Sequence, residues 1–214
     1  MKQFGETVAG YDIPVMNERE IRGAAGILFL FLITSFWKII FGGDFIMIKY
    51  FIPAFMTDMA IRIFINPKYS PSLIIARFFV RKQTPIYVGA AQKKFAWYIG
   101  FTLSAAMFIH IVLLNAYGPI TGITCLICMI FMFSELAFNF CIGCKIYGLF
   151  NKGQVRYCPG EVCELKDRQE IQKMSSTQWM VVILFFVALI AIGYFSKDYL
   201  SIKPQELKEV IKNW

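Results

Sequence analysis

Apolar residues along the chain gather into blocks close to twenty long, separated by short polar, glycine-rich or proline-bearing breaks. A block of that length crosses a hydrocarbon core of roughly 30 Å as a helix, and a spanning helix satisfies its own backbone hydrogen bonds. The pattern predicts an all-α fold, a polytopic integral membrane helical bundle with about five transmembrane helices plus an interfacial amphipathic helix. Spans are expected at about 23–41, 45–65, 95–116, within 120–150, and at 179–195. The whole chain, 1–214, then reads as a single membrane domain. It holds a four-span core over 10–150 with the interfacial helix at about 70–82, a cysteine-bearing loop at 151–178, the fifth span, and a tail at 196–214.

The breaks support this division. Asn17-Glu18-Arg19-Glu20 is suited to cap the first helix, with acids at its positive dipole end. Gly42-Gly43-Asp44 and Tyr117-Gly118-Pro119 read as tight turns. The mixed segment before the first block, with no small-residue cleavage site after it, predicts an anchor, not a cleaved leader. Pro53 is expected to kink the second span. In 66–94, Leu73, Ile74, Ile75, Phe78 and Phe79 alternate at helical spacing with Arg77, Arg81 and Lys82. That amphipathicity predicts a helix lying in the membrane interface, basic side toward headgroups; a tucked re-entrant segment is the rival. Leu207, Val210 and Ile211 give the tail the pattern of a short amphipathic helix.

Composition narrows the class. At 57% hydrophobic and 17% charged, the chain lacks a soluble domain's balance. Its net charge of +8 lies in loops between spans, which excludes a nucleic-acid surface and fits retention on the cytoplasmic side of a membrane. The basic loop 66–94 and the loop 151–178 fall on one side of a five-span topology. This predicts a cytoplasmic N-terminus, both of those loops cytoplasmic, and the tail outside. The four lysines of the tail run against that last assignment.

Ionisable groups within apolar blocks are costly and point to function. Asp58 and Arg62 stand four apart and share a helix face; they fit either an ion pair holding two helices or part of a polar pathway. His110, the only histidine, fits a hydrogen bond inside the bundle better than a metal site, which needs further ligands. Glu135 lies in the fourth block, on one face with Cys128 and Asn139.

All six cysteines fall between 125 and 163. Cys125 and Cys128 read as packing residues. Cys141 and Cys144, with Gly143 between them and Lys145 beside them, read as a reactive pair. A continuous helix over 120–150 is about 46 Å long, so it carries this pair past the hydrocarbon toward cytoplasmic thiols. On such a helix the two C-x-x-C pairs lie about 24 Å apart, too far for direct exchange. Cys158 and Cys163 follow in the loop, on the same side, where a bridge is transient and catalytic. A zinc ion on Cys141, Cys144, Cys158 and Cys163 is the competing use; no cofactor is required.

Several positions together resemble the uncharacterised bacterial membrane family called domain-of-unknown-function family 4395, over roughly residues 10–150. They are Asn17-Glu18-Arg19 with Arg22, Asp58 with Arg62, Ser70-Pro71, Lys94-Phe95, Glu135, and Phe140-Cys141-x-Gly143-Cys144-x-x-Tyr147. Members tend to be associated with thioredoxin-like and sulfurtransferase proteins. The resemblance thus implies thiol or sulfur handling in a bacterial inner membrane.

The resulting expectation is a membrane-embedded dithiol redox or sulfur-relay protein, a thiol-disulfide oxidoreductase if it is an enzyme. Cys141 or Cys144 attacks and the other resolves, Cys158 and Cys163 pass equivalents to a thioredoxin-like or sulfurtransferase partner, and Glu135 accepts a proton. Asp58, Arg62 and Asn139 serve a substrate or proton path. The alternative is a transporter of a small sulfur compound or anion through a path lined by Asp58, Arg62 and Glu135. A scaffold that recruits a soluble partner is the third reading.

Overall fold

In the computed structural model, residues 4–8, 13–138, 141–150 and 174–206 are described. Helix α1 (Glu18–Gly42) begins with the Asn17 side chain accepting from the Arg19 N–H. It ends at Gly43, whose left-handed φ of 59° suits glycine, and whose N–H donates to the Ile39 carbonyl. Helix α2 (Ile46–Ala60) passes into a π-helical turn, Ile61–Ile65, that carries Arg62. The short helix α3 (Pro71–Val80) is capped by Ser70, with proline at its first turn. Helix α4 (Ala90–Met107) ends in π-helical Phe108–Leu113. Then come α5 (Pro119–Phe138), α6 (Ile142–Phe150), α7 (Ser176–Phe195) with a capping box at Ser175 and Gln178, and α8 (Lys197–Ser201).

Among the described residues, four helices are long and apolar enough to cross a membrane: Glu18–Gly42, Ala90–Leu113, Pro119–Phe138 and Ser176–Phe195. The helical run 46–65 lies among them but carries Lys49, Asp58 and Arg62 and changes winding at Ile61. Directions alternate through the bundle. At one end Arg22 donates to the Leu136 carbonyl (3.2 Å) and Gln178 to the Lys68 carbonyl (3.1 Å). At the other, Phe45 meets Tyr117 (5.2 Å) and Lys49 donates to Asn115 and to the Ile202 carbonyl. Helix α1 packs on α3 and α5, α2 on α4, and α7 on α3. Ile21, Ile48, Ile74 and Ile111 are fully enclosed, whereas Ile183, Leu184, Val187 and Ile190 of α7 stay exposed. That outward apolar face is what a lipid-facing helix presents.

The fold is mostly helical, as expected, and three features go beyond the expected pattern. First, the segments before α1 and α4 pair. Strand β1 (Val15–Asn17) runs antiparallel to β2 (Tyr87–Gly89), and β3 (Ala116–Tyr117) parallel to β4 (Gln205–Glu206). These short ladders pair backbone groups of segments that flank the helices. Second, α3 does not keep all its basic side outward. Arg77 is buried and its Nε donates to Glu20 (3.0 Å), since a buried carboxylate needs a counterion. Third, the fourth apolar block is not one helix. Helix α5 ends at Phe138 and α6 begins at Ile142, and α6 returns along α4, with Tyr147 against Phe95 at 5.5 Å.

Candidate functional site

Asp58 and Arg62 form the expected pair, at 2.9 Å and almost fully buried. The tertiary fold adds what spacing alone does not indicate. Asp58 also accepts from Ser70 Oγ (2.8 Å), Ser72 Oγ (2.6 Å) and the Ser72 N–H (3.0 Å). Its carboxylate thus sits at the N-terminus of α3, where orphan N–H groups and the helix dipole favour an anion. The Arg62 guanidinium lies over the Trp97 ring, 5.1 Å from its centroid. Both charges here have a partner.

Glu135 is bound by Lys93 Nζ at 2.6 Å, and Glu18 stands 3.9 Å from the same ammonium. Lys93 is buried. A second cluster joins Arg77 to Glu20 and, at 3.6 Å, to Glu6, while Asn17 donates to Glu20 (3.1 Å). Burial pushes the Glu6 carboxyl above its ordinary value, against the opposing pull of Arg77 and Lys68. These pairs fasten α1, α3, α4 and α5 at one end of the bundle.

Cys141 and Cys144 are disulfide-bonded, with their Cα atoms 5.1 Å apart. Cys141 precedes α6, its sulfur accepts the Cys144 N–H at 3.2 Å, and its carbonyl accepts the Lys145 N–H at 3.1 Å. Cys144 is buried and Cys141 half-buried. The first cysteine therefore occupies a helix N-terminus, where backbone donors stabilise negative sulfur. Helix α6 reaches this place because Gly143 lies directly on Ala96. A Cβ at Gly143 stands 2.7 Å from the Ala96 Cβ and 2.8 Å from its Cα. Backbone atoms cannot step aside cheaply. Gly143→Ala is expected to lower unfolding free energy by about 1–3 kcal/mol, read by thermal denaturation in detergent. An unchanged melting temperature contradicts the close α4–α6 contact.

A cavity of about 70 Å³ is lined by Cys141, Gly143, Arg62, Trp97, Cys128 and Glu135, with apolar residues of α1, α2 and α4 completing its wall. On a continuous helix Cys128 and Cys141, thirteen residues apart, would stand about 20 Å apart along the axis. With α5 and α6 as separate helices, both line this one cavity. Arg62 and Glu135 share this cavity, but Asp58 borders a different one. Cys125 is buried among core residues, and His110 lies half-buried in the π-helical end of α4.

Asn139, Cys158 and Cys163 lie outside the described residues, as does most of the 151–178 loop. Among the described residues no group of three or more His, Cys, Asp or Glu is placed to hold a metal ion. The zinc set of Cys141, Cys144, Cys158 and Cys163 has half its members outside that region. Sequence reasoning missed Lys93, Ser70, Ser72 and Trp97 as site residues. Ser70 stood out only within the Ser70-Pro71 position of the family resemblance, and Lys93 only as part of the basic loop 66–94; their partners are distant in sequence.

A comparison with curated proteins and one with solved structures return no match. The family model described as domain of unknown function DUF4395 matches residues 16–152, from the strand before α1 through the end of α6. That stretch holds the Asp58–Arg62 pair, Glu135 with Lys93, and the Cys141–Cys144 couple, and covers more than half of the sequence. The chain belongs to the DUF4395 family.

Proposed function

We propose that this protein is a membrane-embedded dithiol redox or sulfur-relay protein working through Cys141 and Cys144. One observation carries the reading: the pair stands at the head of α6, with Cys141 on a cavity that Arg62 and Glu135 also line. Cys141, the more open sulfur, attacks a partner's disulfide as thiolate, releasing one partner sulfur as thiolate and forming a mixed disulfide. Its own thiol proton passes to a base, for which Glu135 is the carboxylate at hand. Cys144 then attacks the mixed disulfide at Cys141, the partner leaves as thiolate, and the internal disulfide closes. From a sulfane donor Cys141 takes the outer sulfur as a persulfide, the donor leaves as thiolate, and Cys144 attack on that persulfide releases hydrosulfide. The reverse sequence reduces the pair. A thioredoxin-like or sulfurtransferase protein is the fitting partner, with Cys158 and Cys163 as the onward relay.

In this reading the helical run 46–65 is a fifth span, the N-terminus and the 66–94 and 151–178 loops are cytoplasmic, and the membrane is a bacterial inner membrane. The charged end of the bundle then faces the cytoplasm, in keeping with the lysines and arginines of 66–94. The carrier reading has weaker support. Asp58 borders a separate cavity, and Arg62 and Glu135 are each matched by a close counterion.

Reduced thioredoxin offered to the oxidised, detergent-purified protein tests the proposal. Transfer of two electrons is expected, and is lost in the Cys141→Ser, Cys144→Ser double variant. Equal transfer by that variant eliminates the reading.

A further inference from the structure

A second cavity, of about 280 Å³, lies between α1, α2, α3 and α7, lined by residues including Leu28, Phe51, Ala54, Phe55 and Ile75. Two of its lining residues, Phe31 and Phe186, are 52% and 46% exposed on the apolar flank of the bundle. A ligand therefore enters sideways from hydrocarbon, not from water. Among the described residues no lysine or arginine lines the space, and the one carboxylate that does, Asp58, is already matched by Arg62. A phospholipid phosphate finds no counterion there, and an anionic metabolite finds neither counterion nor route. A neutral, lipid-soluble molecule meets no such cost.

The neighbour of this space identifies its chemistry. Leu28 and Phe55 line both this cavity and the one bordered by Cys141, and the Asp58–Arg62 pair straddles the same partition, one member on each side. A dithiol that forms its disulfide must hand two electrons and two protons to an acceptor. We infer that the apolar cavity binds the head of a lipid-soluble quinone, which oxidises the Cys141–Cys144 dithiol when Phe55 turns aside. This rests on the dithiol reading above. Both S–H bonds break and the S–S bond forms; the two electrons and two protons reduce the ring's carbonyl oxygens to hydroxyls, giving the quinol. The quinone then leaves the way it came, into the bilayer.

Titration of the purified full chain with a decyl-substituted benzoquinone tests this, read by tryptophan fluorescence for binding and by quinone absorbance for reduction. The wild type is expected to bind saturably and, once its dithiol is reduced, to convert about one quinone per protein. Ala54→Phe and Ile75→Trp fill the cavity, and each is expected to weaken binding by about tenfold or more with melting temperature retained. The Cys141→Ser, Cys144→Ser variant is expected to bind as the wild type does and to reduce none. Absence of saturable binding, or equal binding by both filled variants, overturns the cavity assignment while thioredoxin exchange can still stand. Binding with no reduction by the wild type overturns the oxidant role. Native protein that retains only phospholipid on solvent extraction, and binds no added quinone, makes the space a lipid site and also overturns the inference.

Discussion

Arg62→Ala is expected to lower the unfolding free energy by about 3–5 kcal/mol, the usual cost of removing one member of a buried ion pair. The loss follows from what stays behind. Asp58 is 2% exposed and keeps Ser70 and Ser72 as donors but no cation, so its charge is uncompensated away from water. The Trp97 face also loses its guanidinium. Because desolvation offsets much of a buried pair's attraction, removing both charges as Asp58→Leu with Arg62→Met should cost less than the single change. Thermal denaturation of detergent-solubilised protein, with single and double variants side by side, reads the difference. A single variant within about 1 kcal/mol of the wild type, or a double variant worse than the single, contradicts the account of the cluster.

The second large effect separates the two cysteines. Cys144→Ser leaves the half-open Cys141 able to attack but without its resolving thiol, so mixed disulfides with a thioredoxin-like partner should accumulate. Cys141→Ser leaves only the buried Cys144, and trapping should fall to background. The asymmetry comes from position: Cys141 lies ahead of the first turn of α6, lining the cavity, and Cys144 lies within that helix, buried. Non-reducing gels of cells expressing each variant show it. Equal trapping by both, or more by Cys141→Ser, contradicts the assignment of attacker and resolver.

The helical body was legible because apolar blocks about twenty residues long have few other uses, and Gly43 and Pro119 punctuate them where α1 ends and α5 begins. Asp58 and Arg62 were legible as neighbours because one helix turn relates them. The break between α5 and α6 was not. Periodicity runs on through an apolar stretch without a mark, and the contact that seats α6, Gly143 on Ala96, is tertiary. The inward turn of Arg77 has the same origin, since its partner Glu20 lies 57 residues away. Lys93 looked like one more loop cation until the fold set it against Glu135, 42 residues on. Local chemistry could be read; the cavity that joins Cys141, Arg62 and Glu135 is built only by packing.

That cavity is the core of the proposal, and the redox behaviour of its sulfurs tests it most directly. Purified protein equilibrated across a series of thiol–disulfide buffers, quenched in acid and alkylated, reports the state of each cysteine by mass spectrometry. Cys141 and Cys144 are expected to switch together, as one two-electron couple, within the range set by cellular thiols, while Cys125 and Cys128 stay reduced throughout. If Cys141 and Cys144 remain thiols in every buffer, or take up label independently of one another, no dithiol centre exists.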